Sequence, residues 1–300
     1  MANKISIFPH SHNLTRKLST VDTFDDLQDV TASNNNIGLG EGAIEGITSS
    51  GVVAIGFNSG NDGVDVKDES VIIGYQAGAL GCGEKTVAIG TSAGHGINAK
   101  NSDNSVMIGA RTCTGLSGTY NDDCIVIGSD SGIGGTGASS ICIGDTASAK
   151  GDRNISIGKN SNLNSTSTQS ICIGENAGRS SVVGTLSGND FICIGNEVGQ
   201  APDIQSKSIS IGSKEINSGF SSATSDHGIG YASIAVGTSA NGVSNSSAKR
   251  GDLSVMIGGA NSYNGISGNA VSIGALASST NPASEGTVCI GFNAGSGTSS

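Results

Sequence analysis

A chain of 300 residues with 48 Gly, 3% aromatic residues and no Trp cannot build the large aromatic-anchored core of an ordinary globular protein of this length. Its formal net charge of −10, from 25 acidic and 15 basic residues, argues against a nucleic-acid binder, which presents a positive stripe to phosphates. No stretch approaches the roughly eighteen consecutive apolar residues of a membrane-inserted helix, and Met1 to Arg16 lacks the apolar centre of a secretory signal.

Residues 1–35 form the first region and carry no repeat. Lys4, Arg16 and Lys17 gather here with Phe8, Pro9, His10 and His12, followed by Asp22-Thr23-Phe24-Asp25-Asp26-Leu27-Gln28-Asp29-Val30. Phe24, Leu27 and Val30 fall at i, i+3 and i+6, the spacing of one side of a short helix. Two roles compete for the segment: a cap over an exposed strand edge, and a tether that docks the chain onto a larger assembly. Its length exceeds what a cap requires and favours the tether.

Residues 36–300 repeat one motif, seen in Ser170-Ile171-Cys172-Ile173-Gly174. Copies end at Gly56, Gly74, Gly90, Gly109, Gly128, Gly144, Gly158, Gly174, Gly195, Gly212, Gly237, Gly258, Gly274 and Gly291, preceded by a degenerate Asn36-Ile37-Gly38. The spacing varies from 14 to 25 residues while the motif stays constant, so a short fixed strand alternates with elastic loops. Three residues before each Gly stands Val or Ile, and one residue before it Ile, or Val at Val236. On a strand these two share a face, and β-branched residues suit a buried pleated surface, so this face is expected to line the interior. The residue between them points the other way. There stand Ala54, Ile72, Ala88, Met107, Val126, Cys142, Ser156, Cys172, Cys193, Ser210, Ala235, Met256, Ser272 and Cys289, with no charge among them. A solvated face would carry charge, so these fourteen residues are expected to form a seam between chains. Small residues recur three positions after the Gly, as at Ala77, Ala93 and Ala177, and suit a second short strand in a cramped cross-section.

Ser-Ile-Cys-Ile-Gly followed by x-x-Ala-Gly resembles the Ser-Val-Ala-Ile-Gly repeats in the YadA-like head of trimeric autotransporter adhesins, and similar repeats in phage and viral fibre proteins. The resemblance spans roughly Asn36 to Gly295. It implies an all-β fold, a left-handed parallel β-roll or solenoid with one coil per Ile-Gly motif, and three chains packed side by side as a homotrimer.

Other patterns carry less. Gly132-Ile133-Gly134-Gly135-Thr136-Gly137 matches G-x-G-x-x-G, but another strand motif follows where a nucleotide site needs a helix. The acid-rich Asn61 to Glu69 lacks the order of a calcium loop and reads as solvated. His10-Ser11-His12 resembles the His-x-His pattern with which some phage spikes hold a metal at their distal tip, yet it lies at the opposite end. The seven Cys have no C-x-x-C spacing and read as reduced, buried fillers. His95 and His227 are far apart, and Asp122-Asp123 reads as a solvated loop, so neither catalytic residues nor a metal or cofactor are expected.

These readings converge on a non-enzymatic structural protein: a trimeric fibre or spike of a virus or phage particle, made in the host cytoplasm. Its N-terminus is expected to join virion or tail proteins. The expanded loops at Gly178 to Asp190, Ser213 to Ser233 and Asn241 to Leu253 are expected to touch a host-surface glycan or protein. The head of a bacterial adhesin at the cell surface is the alternative, and a glycan-processing spike with an inter-chain site the third.

Overall fold

The computed structural model describes residues 30–33, 35–61, 66–96, 102–114, 122–133, 135–163, 167–178, 189–198, 206–213, 232–238, 252–259, 269–275, 277 and 285–295. They are all β and turn, with no helix among them, and they form a parallel β-solenoid. The chain divides into two compact units, Met1–Leu116 and Ser117–Ser300.

The first unit holds β1 (Val30–Ser33), β2 (Asn36–Leu39), β3 (Val53–Ile55), β4 (Val71–Ile73), β5 (Val87–Ile89) and β6 (Val106–Ile108), paired in that order. The second holds β7 (Ile125–Ile127), β8 (Ile141–Ile143), β9 (Ser148–Ala149), β10 (Ile155–Ile157), β11 (Asn162–Leu163), β12 (Ile171–Ile173), β13 (Ile192–Ile194), β14 (Ile209–Ser213), β15 (Ile234–Thr238), β16 (Val255–Ile257), β17 (Val271–Ile273) and β18 (Val288–Ile290). Within each unit every motif strand pairs in parallel with the next, residue for residue: Val71 with Val87, Ile72 with Ala88, Ile155 with Ile171, Ser156 with Cys172. Spacer length does not disturb this register, because a one-residue slip would reverse the two faces of the strand.

Three sequence expectations change. First, the earliest repeat is not Asn36-Ile37-Gly38. Ile37, Gly38 and Leu39 align with Val53, Ala54 and Ile55, so the copy ends at Gly40, two residues later, and Gly38 occupies the middle position. Second, the second strand of each coil exists only as β9 and β11, which pair with each other; the corresponding residues elsewhere in the described coils form turns. Third, Val30 belongs to a strand. β1 pairs antiparallel with β2, Val30 opposite Leu39 and Ser33 opposite Asn36, and thereby covers the first coil's outer edge. The rest of the expected helix, with Phe24 and Leu27, lies outside the described residues, as do His10 and His12.

The corners explain the motif Gly. Gly56, Gly74, Gly90, Gly144 and Gly174 have φ from 131° at Gly56 to 138° at Gly144. A Cβ at Gly74 would lie 2.4 Å from the Gly90 carbonyl oxygen, and one at Gly174 would lie 2.2 Å from that of Gly195. Both the backbone angle and the next coil's backbone exclude a side chain. Among the described residues, left-handed backbone also marks two further corners, the fifth residue before the motif Gly (Glu69, Lys85, Asn104, Ser139) and the second after it (Asn58, Gln76, Ser92, Asn160).

Candidate self-association face

The two faces of the motif strand are the reverse of the sequence expectation. The middle residues Ala54, Ile72, Ala88, Val126, Cys142, Ser156, Cys172, Cys193, Ala235, Met256 and Ser272 have no measurable exposure, and Met107 and Ser210 have 1%. They point into their own coil and cannot form a seam between chains. Cys289, in the last coil, is half-buried. The Val and Ile on either side face outward and are half-buried or exposed, as in the buried-flanked-by-partial pattern of β4, β5, β8 and β12.

Cross-section decides this. The interior is filled from three inward columns: the middle residue, the residue before the strand, and the small residue three after the Gly. Among the described residues these are buried in every coil but the last, where Thr287, Cys289 and Ala294 are half-buried; Ala77, Ala93 and Ala177 show the third column. Three inward columns leave little room, so Ala, Ser and Cys dominate. Ile72 fits where Gly78 faces it, since a Cβ on Gly78 would lie 3.2 Å from the Ile72 side chain; Met107 faces Gly94 in the same way. The run of small middle residues was the signal in the sequence for a cramped interior.

That interior is polar as well as small. Directly before the strand stand buried Ser70, Thr86, Ser140, Asn154 and Ser170. Ser70 Oγ donates to the Gly83 carbonyl at 2.8 Å, Thr86 Oγ1 to Ser102 at 2.7 Å and Ser140 Oγ to Gly151 at 3.0 Å, each in the following coil. Asn36 and Asn154 bridge coils with both ends of the amide. Asn154 Nδ2 donates to the Ser167 carbonyl at 2.8 Å, and its Oδ1 accepts from the Ser170 N–H at 2.9 Å. Asn36 does the same with Ser49 and Val52. Bonds of this kind satisfy groups whose burial would otherwise cost about 1–3 kcal/mol each.

The outward face has no such partners of its own kind. Val53, Val71, Ile73, Val87 and Ile89 in the first unit, and Ile141, Ile143, Ile155, Ile157, Ile171 and Ile173 in the second, stack in register into two parallel apolar columns per unit. Ile37, Ile55 and Ile125 are exposed at 41%, 37% and 37%. Phe57 and Tyr75, just past the motif Gly in adjacent coils, stack at 5.6 Å and stay exposed. A regular apolar face larger than scattered surface residues marks an interaction surface.

The other candidate residues lie apart from this face. Asp68, Asp103 and Asp152 sit at corners, where Oδ1 of each accepts a backbone N–H from the preceding coil, those of Ser50, Glu84 and Ala138 at 2.8, 2.8 and 2.9 Å. Lys85 binds Glu84, which raises the lysine pKa. After Gly132 to Gly137 comes β8, with no helix. Among the described residues no group of three His, Cys, Asp or Glu is placed to hold a metal. His227 lies outside them, and so do most of the expanded loops. None of the seven Cys is in a disulfide. Burial pushes the Cys82 and Cys142 thiols up to about 12 and raises Cys172, which is also held up by its neighbour Cys193.

No family model matches the chain, and no curated protein matches its sequence.

Proposed function

We propose that the chain is a non-enzymatic structural protein that assembles with copies of itself through the outward Val/Ile face, three chains around one axis, as a fibre or spike of a virus or phage particle. The observation that carries this reading is the outward β-branched face: the narrow interior is filled by mostly small residues, apolar and hydroxyl alike, while the Val/Ile pair of each motif strand faces outward and is half-buried or exposed. Burying the exposed part of each outward residue stabilises an assembly by about 1 kcal/mol, and the columns add this coil after coil. A partner must match a flat apolar surface repeating at the strand spacing of about 4.8 Å, and another copy of this chain offers that surface. The face of β-branched pairs takes over the seam role expected of the middle residues.

A structural role is supported by the corner carboxylates, whose oxygens are engaged by backbone N–H groups and not gathered in a cleft. β1 supports a capping contribution from the N-terminal segment; docking to virion or tail proteins is assigned to the residues before it, and contact with a host glycan or protein to the expanded loops. The choice of particle over bacterial cell surface rests on the sequence resemblance, which embraces both. Sedimentation equilibrium tests the assembly: a mass of three chains is expected, and a monomer at micromolar concentration overturns the reading. Immunogold labelling of purified particles and of host cells tests the location, and label confined to a cell envelope would transfer the protein to the adhesin class.

A further inference from the structure

Two positions flank the outward strand face in every coil: the left-handed corner five residues before the motif Gly, and the residue just after that Gly. At the first, most coils carry a side chain, among them Glu69, Lys85, Asn104, Asp123, Ser139, Arg153, Gln169 and Lys207, all at φ between 55° and 61°. Two coils carry Gly instead, Gly51 and Gly286, at φ 73° and 76°. The same two coils, and no other, carry Phe after the motif Gly, as Phe57 and Phe292.

Among the described residues nothing requires those two glycines. The left-handed backbone is occupied elsewhere by Lys, Arg and Gln at the same corner. Space is present too: a Cβ on Gly286 meets nothing within 4 Å, and one on Gly51 meets Glu69 only at an ordinary 3.6 Å. Both glycines are exposed. The phenylalanines are exposed as well, Phe57 at 42% and Phe292 at 72%. Each of these coils therefore presents a large apolar side chain at one end of its outward face and a bare backbone at the other.

We propose that Phe57 of one copy packs on Gly51 of the next, and Phe292 on Gly286, so that these pairs act as level-setting contacts between neighbouring chains. The inference rests on the self-association proposed above and adds its symmetry and register. A two-fold axis parallel to the strands brings each corner against its own kind, Phe against Phe and Gly against Gly, whereas any rotation axis along the stack of coils brings Phe against Gly. A cyclic arrangement brings the downstream corner of one copy to the upstream corner of the next without axial displacement. Pairing of Phe with Gly from the same coil meets both conditions, and it keeps the slippery Val/Ile columns, which look alike at every coil, from docking one coil out of step.

The test is a double variant, Gly51→Cys with Phe57→Cys, in a Cys289→Ser background that removes the one thiol not fully buried. Within one chain the two sites are separated by a strand of roughly 15–20 Å, beyond the reach of a disulfide. Diamide takes two protons and two electrons from the paired thiols, so each bond formed links two chains. On a non-reducing gel, linked pairs and closed triples are expected, with nothing larger. Gly51→Cys with Tyr75→Cys, displaced by one coil, is expected to link about tenfold less. Gly51→Gln with Gly286→Gln, which places at both corners a residue that Gln169 already shows to be tolerated, is expected to weaken assembly about tenfold or more while leaving the circular dichroism spectrum unchanged. An unsubstituted chain that sediments as a monomer overturns both the assembly and this register. A chain that assembles but links poorly at 51 and 57, or links as well at 51 and 75, overturns the register alone, and one that links well at 51 and 57 but stops at pairs overturns the three-fold axis alone.

Discussion

Ala88 and Ile89 are neighbours on β5 and face opposite ways, so the same substitution at each separates folding from assembly. Ala88 has no exposure and packs among Ile72, Cys82 and Ala93, and a Cβ on Gly94 would already lie 3.6 Å from its own. Glu at position 88 would bury an unpaired carboxylate, costing about 3–5 kcal/mol, and overfill the coil by about 1–3 kcal/mol more. The sum, about 4–8 kcal/mol, is comparable with the whole stability of an ordinary domain, about 5–15 kcal/mol. Ile89 is half-buried and faces away from the coil's interior. Ile89→Glu should cost the single chain only about 1 kcal/mol, because the carboxylate stays in water. In a trimer it would set three carboxylates near one axis, each desolvated at several kcal/mol. Thermal melting by circular dichroism, paired with sedimentation velocity, reads both effects. Ala88→Glu should fail to fold cooperatively, and Ile89→Glu should give a folded monomer. A folded, monomeric Ala88→Glu protein, or an Ile89→Glu protein that assembles like the original, would refute the assignment of the two faces.

Further outcomes follow from the same coordinates. Gly144→Ala forces a Cβ to within 2.4 Å of the Gly158 carbonyl oxygen at φ 138°, and should destabilise by about 3 kcal/mol or more in urea titration, whereas Gly286→Ala should cost about 1 kcal/mol or less. Because burial raises the Cys82 and Cys142 thiols from the ordinary 9.0 to about 12, the protonated thiols favour the folded state. Their contribution is complete below pH 9 and is lost between about 9 and 12, so stability measured by denaturant should fall across that window and stay flat, as far as these groups act, just below it. Labelling with a thiol reagent at neutral pH should modify Cys289 rapidly and the six buried thiols only on unfolding. Deleting Met1 to Asn34 removes β1 and uncovers the edge of β2, and should leave a folded protein that associates end to end, seen as a concentration-dependent rise in mass by light scattering.

The sequence alone was enough to determine the repeat, its strand and its Gly corner. A motif spaced irregularly yet unchanged in itself can only be a stack of identical strands joined by loops, and the parallel register of Ile155 on Ile171 follows from it. It also located the small residues three after each Gly, which the interior does bury. What it misplaced was the inner side of the strand: the β-branched pair was expected inside, and the middle residue is the buried one. A β-branched pair around a small residue satisfies either orientation on a two-sided strand, since hydrophobicity favours burial of the pair while volume favours burial of the small residue. Only the closed coil decides, because Ser70, Ala77 and Ile72 must share one narrow cross-section with Gly78, and no second large column fits beside them. The true first copy was hidden for a related reason: Gly38 occupies a position that other coils give to Ala or Cys, and the side chain of Ile44 fills the space left there. Pairing of β1 with β2 was likewise invisible, since an antiparallel edge strand needs no repeat of the motif it covers. The tertiary structure therefore supplied the direction of every side chain, and with it the apolar face on which the assembly is proposed to rest.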